Sequence, residues 1–472
     1  MKGINENKIL KDFFNYDKIR FQTLFVVATL FLLLDLSISK ISDLVSIDYY
    51  GTLLMYFFSS IFIMLCQIYF FNSVRRKYDH SEIKNFDRIS RITAIVNYSI
   101  LFLMITILVE VVLFSFYHII LLLLITALSY GWAIALFAVF SRNLLKWFRM
   151  RRTLILLLFG ITSCLIMFSL AITLVYFQSK LIDKVLSIDE SAYLSFSSMI
   201  SYSNSTNTFD IKNNFNTPNI PESRPENASN SPYAWVYHAK DIKNFSIDIY
   251  FTLIWIATSL LLLHNVKRIG FFKYWLIVSM AILYYLFAIL PITDTFVQFF
   301  LNDDFRIAIL LDTYSTPVFG LFASIGLWSI ARSIKINHDV KDFMTISAIG
   351  FFLFFLTGEA AVFQTSFPPF GIINISLFFV SCYLLITGLS ITALSISKDS
   401  ELRKYIRNST LNRIKLLENI SDAEMEKEID DKVIEALQRS KIINSQYPSS
   451  VSSSMSQIEI KKYIEELLKE RV

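Results

Sequence analysis

Charge is what this chain is short of. Only 18% of its 472 residues are charged, where a soluble protein of this size carries about a quarter. Cysteine is scarce as well. Cys66, Cys164 and Cys382 lie singly in three separate apolar runs. With no CxxC pair, neither a zinc site nor a dithiol redox motif is available, and the three read as small buried apolar residues. The five histidines, His80, His118, His238, His264 and His338, never stand four apart. That excludes the facing intramembrane histidines of a haem or copper bundle. His338-Asp-Val sits in a short loop with no ATP-binding domain after it, so it is no phospho-acceptor. No H-E-x-x-H, G-x-S-x-G or P-loop motif occurs, and no lysine lies deep in an apolar run to form a retinal Schiff base. Nothing here marks an enzyme, and no cofactor is implied. None of the nine prolines precedes Pro218. Helices broken by Gly or Pro in both halves are common in carriers, and the first half shows no such break.

What the chain has instead is apolar length. Hydrophobic residues make up 54% of it, with 44 phenylalanines, arranged in runs of about twenty that alternate with short charged segments. The first half predicts five membrane spans within residues 21–177: Phe21–Ser39, Tyr50–Asn72, two within Thr93–Ser141, and Thr153–Phe177. Thr93–Ser141 is about twice the length needed to cross roughly 30 Å of hydrocarbon. It is therefore expected to fold back near Ser115–His118 as a tight hairpin. The second half, residues 247–396, predicts five more: Ile247–Val266, Phe271–Pro291, Tyr314–Ile334, Phe343–Phe363 and Gly371–Ile396. The expected fold is all-α, a polytopic bundle of about ten transmembrane helices. They stand five plus five around a long outer loop.

The loop charges orient it. Arg75, Arg76 and Lys77; Arg142, Lys146, Arg149, Arg151 and Arg152; Lys267, Arg268 and Lys273; and Arg332, Lys335 and Lys341 fall in every second connection. The alternate short loops hold little beyond Lys40 and Arg306. By the positive-inside rule both termini are cytoplasmic, and the protein is a multi-pass component of the plasma membrane. The basic residues are thus topology signals, not a nucleic-acid surface. Residues 1–20 form a cytoplasmic N-terminus. The Asn-, Ser- and Pro-rich stretch 178–246 becomes an extracytoplasmic loop. Within it Asn204, Asn227 and Asn244 head N-glycosylation triplets, and Leu181–Tyr202 is expected to supply surface helices. Thr293–Asp312 mixes apolar and charged residues and is expected to lie along the outer interface.

Residues 397–472 make a cytoplasmic helical tail. Ser421-Asp-Ala-Glu424 has capping-box spacing, followed by a stripe of Met425, Ile429, Val433 and Leu437. A second short helix carries Ile460, Ile464, Leu467 and Leu468. Two such helices bury little alone. They call for a cytoplasmic partner, self-association or the lipid surface.

Ionisable residues within spans are functional suspects. Asp35, Glu110 and Glu359 each lie about 6–8 Å below the outer boundary, with His118 on the same side. One reading is an outward-facing acidic cavity for a cation or proton. The other is that each acid reaches the outer interface or pairs privately with a hydroxyl of a neighbouring helix. Gly320-x-x-x-Ser324 and Gly388-x-x-x-Thr392 fit close helix crossings, as does Gly358-Glu-Ala-Ala361.

The passage Phe367-Pro-Pro-Phe-Gly371, with Leu384-Leu-Ile-Thr-Gly388-Leu and Ser395-Ile-Ser-Lys-Asp399-Ser-Glu-Leu-Arg403, resembles a family of multi-pass membrane proteins of ammonia-oxidising archaea. The resemblance covers about a fifth of the chain. It implies an archaeal cell membrane and transfers no activity and no site residues. Two functions follow from the residues themselves: a sensor or partner-binding membrane protein acting through its tail, or a cation or solute transporter or channel using the outer acids.

Overall fold

The computed structural model describes residues 3–40, 49–79, 87–150, 154–186, 193–195, 234–263, 266, 270–286, 305–333, 338–358, 368–398 and 425. Among them are ten α-helices. They are α1 (Gly3–Lys40), α2 (Tyr49–Asp79), α3 (Asp87–Val109), α4 (Ile119–Met150), α5 (Leu154–Leu186), α6 (Ala234–Leu263), α7 (Phe271–Tyr284), α8 (Phe305–Ser333), α9 (His338–Gly358) and α10 (Ile372–Lys398). Nine are long and apolar enough to cross a membrane, and α7 is a shorter apolar helix. The protein is a multi-pass membrane helix bundle. The expected remainder of the seventh span, and of the ninth beyond Gly358, lies outside the described residues.

The fold-back between the third and fourth spans falls where the length of the run requires it. α3 loosens into a π-helical turn, Glu110–Phe114. Ser115 then takes a left-handed conformation, φ 56°, and the strand β1 (Phe116–His118) leads into α4. β1 pairs antiparallel with β2 (Tyr193–Ser195), with Tyr117 opposite Leu194. Of the surface helices expected over Leu181–Tyr202, residues 187–192 and 196–202 lie outside the described residues, and the expectation is corrected for the others. Residues 181–186 only prolong α5, and 193–195 are strand, because β1 offers its backbone groups for pairing.

Several helices begin earlier than hydropathy marks: α1 at Gly3 rather than Phe21, α3 at Asp87 rather than Thr93, α9 at His338 rather than Phe343, and α6 and α8 likewise. α6 starts at Ala234 rather than Ile247, so Asn244 is an exposed residue within a helix. α8 starts at Phe305, so 305–312 continues the eighth helix instead of forming a separate interfacial segment. A helix satisfies its own backbone wherever it runs, and nothing forces it to stop where its side chains turn polar. α8 accommodates Pro317 inside its length.

α10 is the centre. In its most apolar stretch 94% of the residues are buried, against 28% for α1 and 44% for α2, α3, α4 and α6. It packs most extensively on α9, then α4, and also touches α1, α2 and α3. Glycines set the α9–α10 distance. A Cβ on Gly350 would run into the backbone N of Leu385, and one on Gly388 would meet Ser347 Oγ and lie 2.6 Å from the Phe343 carbonyl oxygen. Ser347 Oγ also donates to the Leu385 carbonyl at 3.0 Å. This is the small-residue packing expected of helices in lipid, and it bears out the close crossing read at Gly388. The phenylalanines fill the rest. Phe251 of α6 lies 4.1 Å from the Tyr284 ring of α7, 4.4 Å from Phe319 of α8 and 5.0 Å from Phe355 of α9. One aromatic knot thus ties four helices together.

Candidate functional site

The N-terminus of α10 is where the polar groups gather. Phe370 N–H donates to the Pro368 carbonyl at 2.8 Å, and the Pro-Pro turn delivers the chain to Gly371, whose φ is +90°. Glycine alone takes that conformation without a Cβ penalty. A helix start leaves N–H groups without intrahelical partners, and inside a bilayer water does not supply them. Here Asp35 of α1 does. Gly371 N–H lies 3.0 Å and 3.1 Å from its two carboxylate oxygens, and Asn374 Nδ2 donates to one of them at 2.6 Å. Asn374 Nδ2 is also 3.4 Å from the Leu32 carbonyl. Asp35 therefore caps, from another helix, the helix at the centre of the bundle. Its carboxyl oxygens meet the positive end of the helix dipole. The Tyr56 ring stands edge-on to Phe370 at 5.4 Å and covers the turn.

Asp35 is 0% exposed, which corrects the expectation that it reaches up to the interface. The donors of a helix end replace water as its solvation. Glu110 pairs locally. Its carboxylate accepts the His118 backbone N–H at 3.0 Å and lies 2.7 Å from His118 Nδ1. The π-helical turn brings these two residues, eight apart, face to face. Glu110 and His118 thus meet each other, while Asp35 has its own partners. Glu359 lies outside the described residues, as do Asn204, Asn227, Ile429, Val433, Leu437, Ile464, Leu467 and Leu468. Of the tail stripe only Met425 is described, as helical. Among the described residues no group of three His, Cys, Asp or Glu side chains is placed to hold a metal ion.

A second polar chain runs beside the cap. Gln67 Nε2 of α2 donates to Asn97 Oδ1 of α3 at 3.0 Å, Ser376 Oγ of α10 approaches Gln67 Oε1 at 3.4 Å, and Ser129 Oγ of α4 donates to the Ile375 carbonyl at 2.6 Å. All four side chains are buried. Replacing Asn97 with leucine is expected to cost about 1 kcal/mol. Adding Gln67→Leu should cost little further, since such pairs couple by about 0.6 kcal/mol and rarely more than about 1.7. A double-mutant cycle of unfolding in micelles measures it, and additive losses would show that the pair is not coupled.

A search confined to ionisable residues passes over Asn374, Gln67 and Asn97, whose signal was an uncharged amide inside an apolar run. Asp248 is ionisable but stands at the hydropathy edge of the sixth span, where a charge reads as flanking; it accepts from Tyr284 OH at 3.3 Å. Comparison of the chain with family models, with curated proteins and with solved structures finds no match.

Proposed function

We propose that the protein is a membrane sensor or partner-binding protein in which α10 relays between the capped end of the bundle and the tail. The observation that carries this is the course of α10. It starts on the carboxylate of a different helix, stays buried along its length and leads directly into residues 399–472. A helix enclosed by five neighbours shifts only as a unit, so a change at the Asp35–Gly371 joint is felt at its far end. The alternation of basic loops supports placing the tail in the cytoplasm and the 178–246 stretch outside, and the two apolar stripes of the tail supply a surface for a protein partner or a second copy. The likeness over 367–403 supports an archaeal cell membrane as the setting. Transport through the outer acids has less support, because Asp35 and Glu110 are each engaged with separate partners.

The test uses the full chain in lipid nanodiscs. Hydrogen exchange over residues 399–420 is compared between wild type and Asp35→Asn, which keeps the shape of the side chain and removes its charge. The relay predicts faster or slower exchange in the tail with the core helices still protected. Identical tail exchange in a folded variant would defeat it.

A further inference from the structure

Toward the end of the bundle away from the basic loops lies a cavity of about 40 Å³, bordered by α4, α5, α6, α8, α9 and α10. Its lining fixes its level. Lys243 stands at the start of the sixth apolar stretch, Ile242–Leu263, and Gly358 is the last residue of α9. A hydroxyl buried at such a place is ordinarily hydrogen-bonded. Thr173 follows that rule and donates to the Ser169 carbonyl at 2.8 Å. The hydroxyls of Ser169 on α5 and Thr316 on α8 do not. Both residues line the cavity, and among the described residues neither hydroxyl has a hydrogen-bond partner. Yet the two residues are only 3% and 5% exposed.

The cation of the lining is Lys243 of α6. Its Nζ lies 5.5 Å from the centre of the Phe177 ring and 5.7 Å from that of Tyr176. Phe177 is buried, so the ammonium is drawn inward against α5 rather than out into water. None of the described lining residues is acidic. One fixed cation and two hydroxyl protons without acceptors call for negative charge. An ion taken out of water is tolerated where a counter-charge and hydrogen bonds replace its hydration. Size then decides the class. A water needs about 10–15 Å³ of such space, so the cavity takes about three waters, or one small anion with a water beside it. Organic acids and phosphate esters are too large. We propose that this cavity is a binding site for a single chloride-sized anion, held by the Lys243 ammonium and the Ser169 and Thr316 hydroxyls. The inference is independent of the relay through α10.

The full chain in detergent micelles is unfolded by heat in sodium chloride and in sodium gluconate at equal ionic strength, gluconate being too large to enter. Binding to the folded state alone raises the midpoint by mass action, and chloride at roughly ten times its dissociation constant is expected to raise it by about 2 °C over gluconate. The rise should saturate with chloride, and bromide should serve equally well. Lys243→Gln is expected to abolish it. Ser169→Ala keeps the cation and is expected to raise the half-saturating chloride concentration about tenfold, which supplies the test should Lys243→Gln not fold. Circular dichroism checks the helical content of both. Equal midpoints in the two salts would overturn the proposal. That is the result expected if the cavity holds water alone, or if Glu359, next in sequence to Gly358, supplies the counter-charge. A saturating rise undiminished in the folded variants would place the chloride elsewhere and overturn it as well.

Discussion

Asp35→Ala is expected to destabilise the bundle by about 3 kcal/mol. The variant strands the Gly371 N–H and the Asn374 amide in a site without water, and each buried donor left unmade costs about 1–3 kcal/mol. Loss of a helix N-cap alone costs about 0.5–2 kcal/mol even where solvent substitutes. Asp35→Asn keeps one oxygen to accept from Gly371 and is expected to lose about half as much. Asn374→Ala removes one donor to the carboxylate and leaves the backbone contact, so its loss should be smaller than that of Asp35→Ala. Equilibrium unfolding in detergent micelles ranks the three. An Asp35→Ala variant as stable as wild type would mean that the cap carries no free energy.

The second large effect lies at the crossing of α9 and α10. Gly350→Val is expected to cost about 3 kcal/mol, at the upper end of what overpacking a close-fitted interior costs. The obstruction it meets is the backbone of Leu384 and Leu385, which no rotamer change relieves. Gly388→Ala meets the Phe343 carbonyl and the Ser347 backbone in the same way and should cost a similar amount. Gly131 supplies the control. Nothing lies within 4 Å of where its Cβ would stand, so Gly131→Ala should leave stability unchanged or raise it by up to about 1 kcal/mol, as alanine does in a helix interior. If all three glycines tolerate substitution equally, the α9–α10 contact is looser than its geometry.

The spans were legible in the sequence because lipid demands about twenty apolar residues of any helix that crosses it, and the tenth was placed to within two residues at either end. Hydropathy is blind to what decides the interior. A leucine facing lipid and one facing another helix read alike, so nothing marked the last span as the centre except its own hydroxyls and amides: Asn374, Ser376, Ser381, Thr387, Ser390 and Thr392. Asp35 was visible as an oddity, but its partner lies 336 residues away, and no local pattern encodes such a distance. Glu110 and His118 were both singled out, yet their pairing depends on a π-helical turn that composition does not announce. The early starts of α6 and α8 were missed because a drop in hydropathy marks the edge of the lipid, not the end of a helix.

The central position of α10 also bears on how the protein is made. Domains take shape from the N-terminus onward as a chain emerges from the ribosome, yet α1, α2, α3, α4 and α9 all lean on a segment translated after them. The earlier spans must wait in the bilayer with their inner faces unmatched, and the Asp35 carboxylate without the helix end it caps, until that segment arrives. Final assembly then becomes a single late insertion, and a stalled or shortened chain ending before Gly371 is left as a target for membrane quality control.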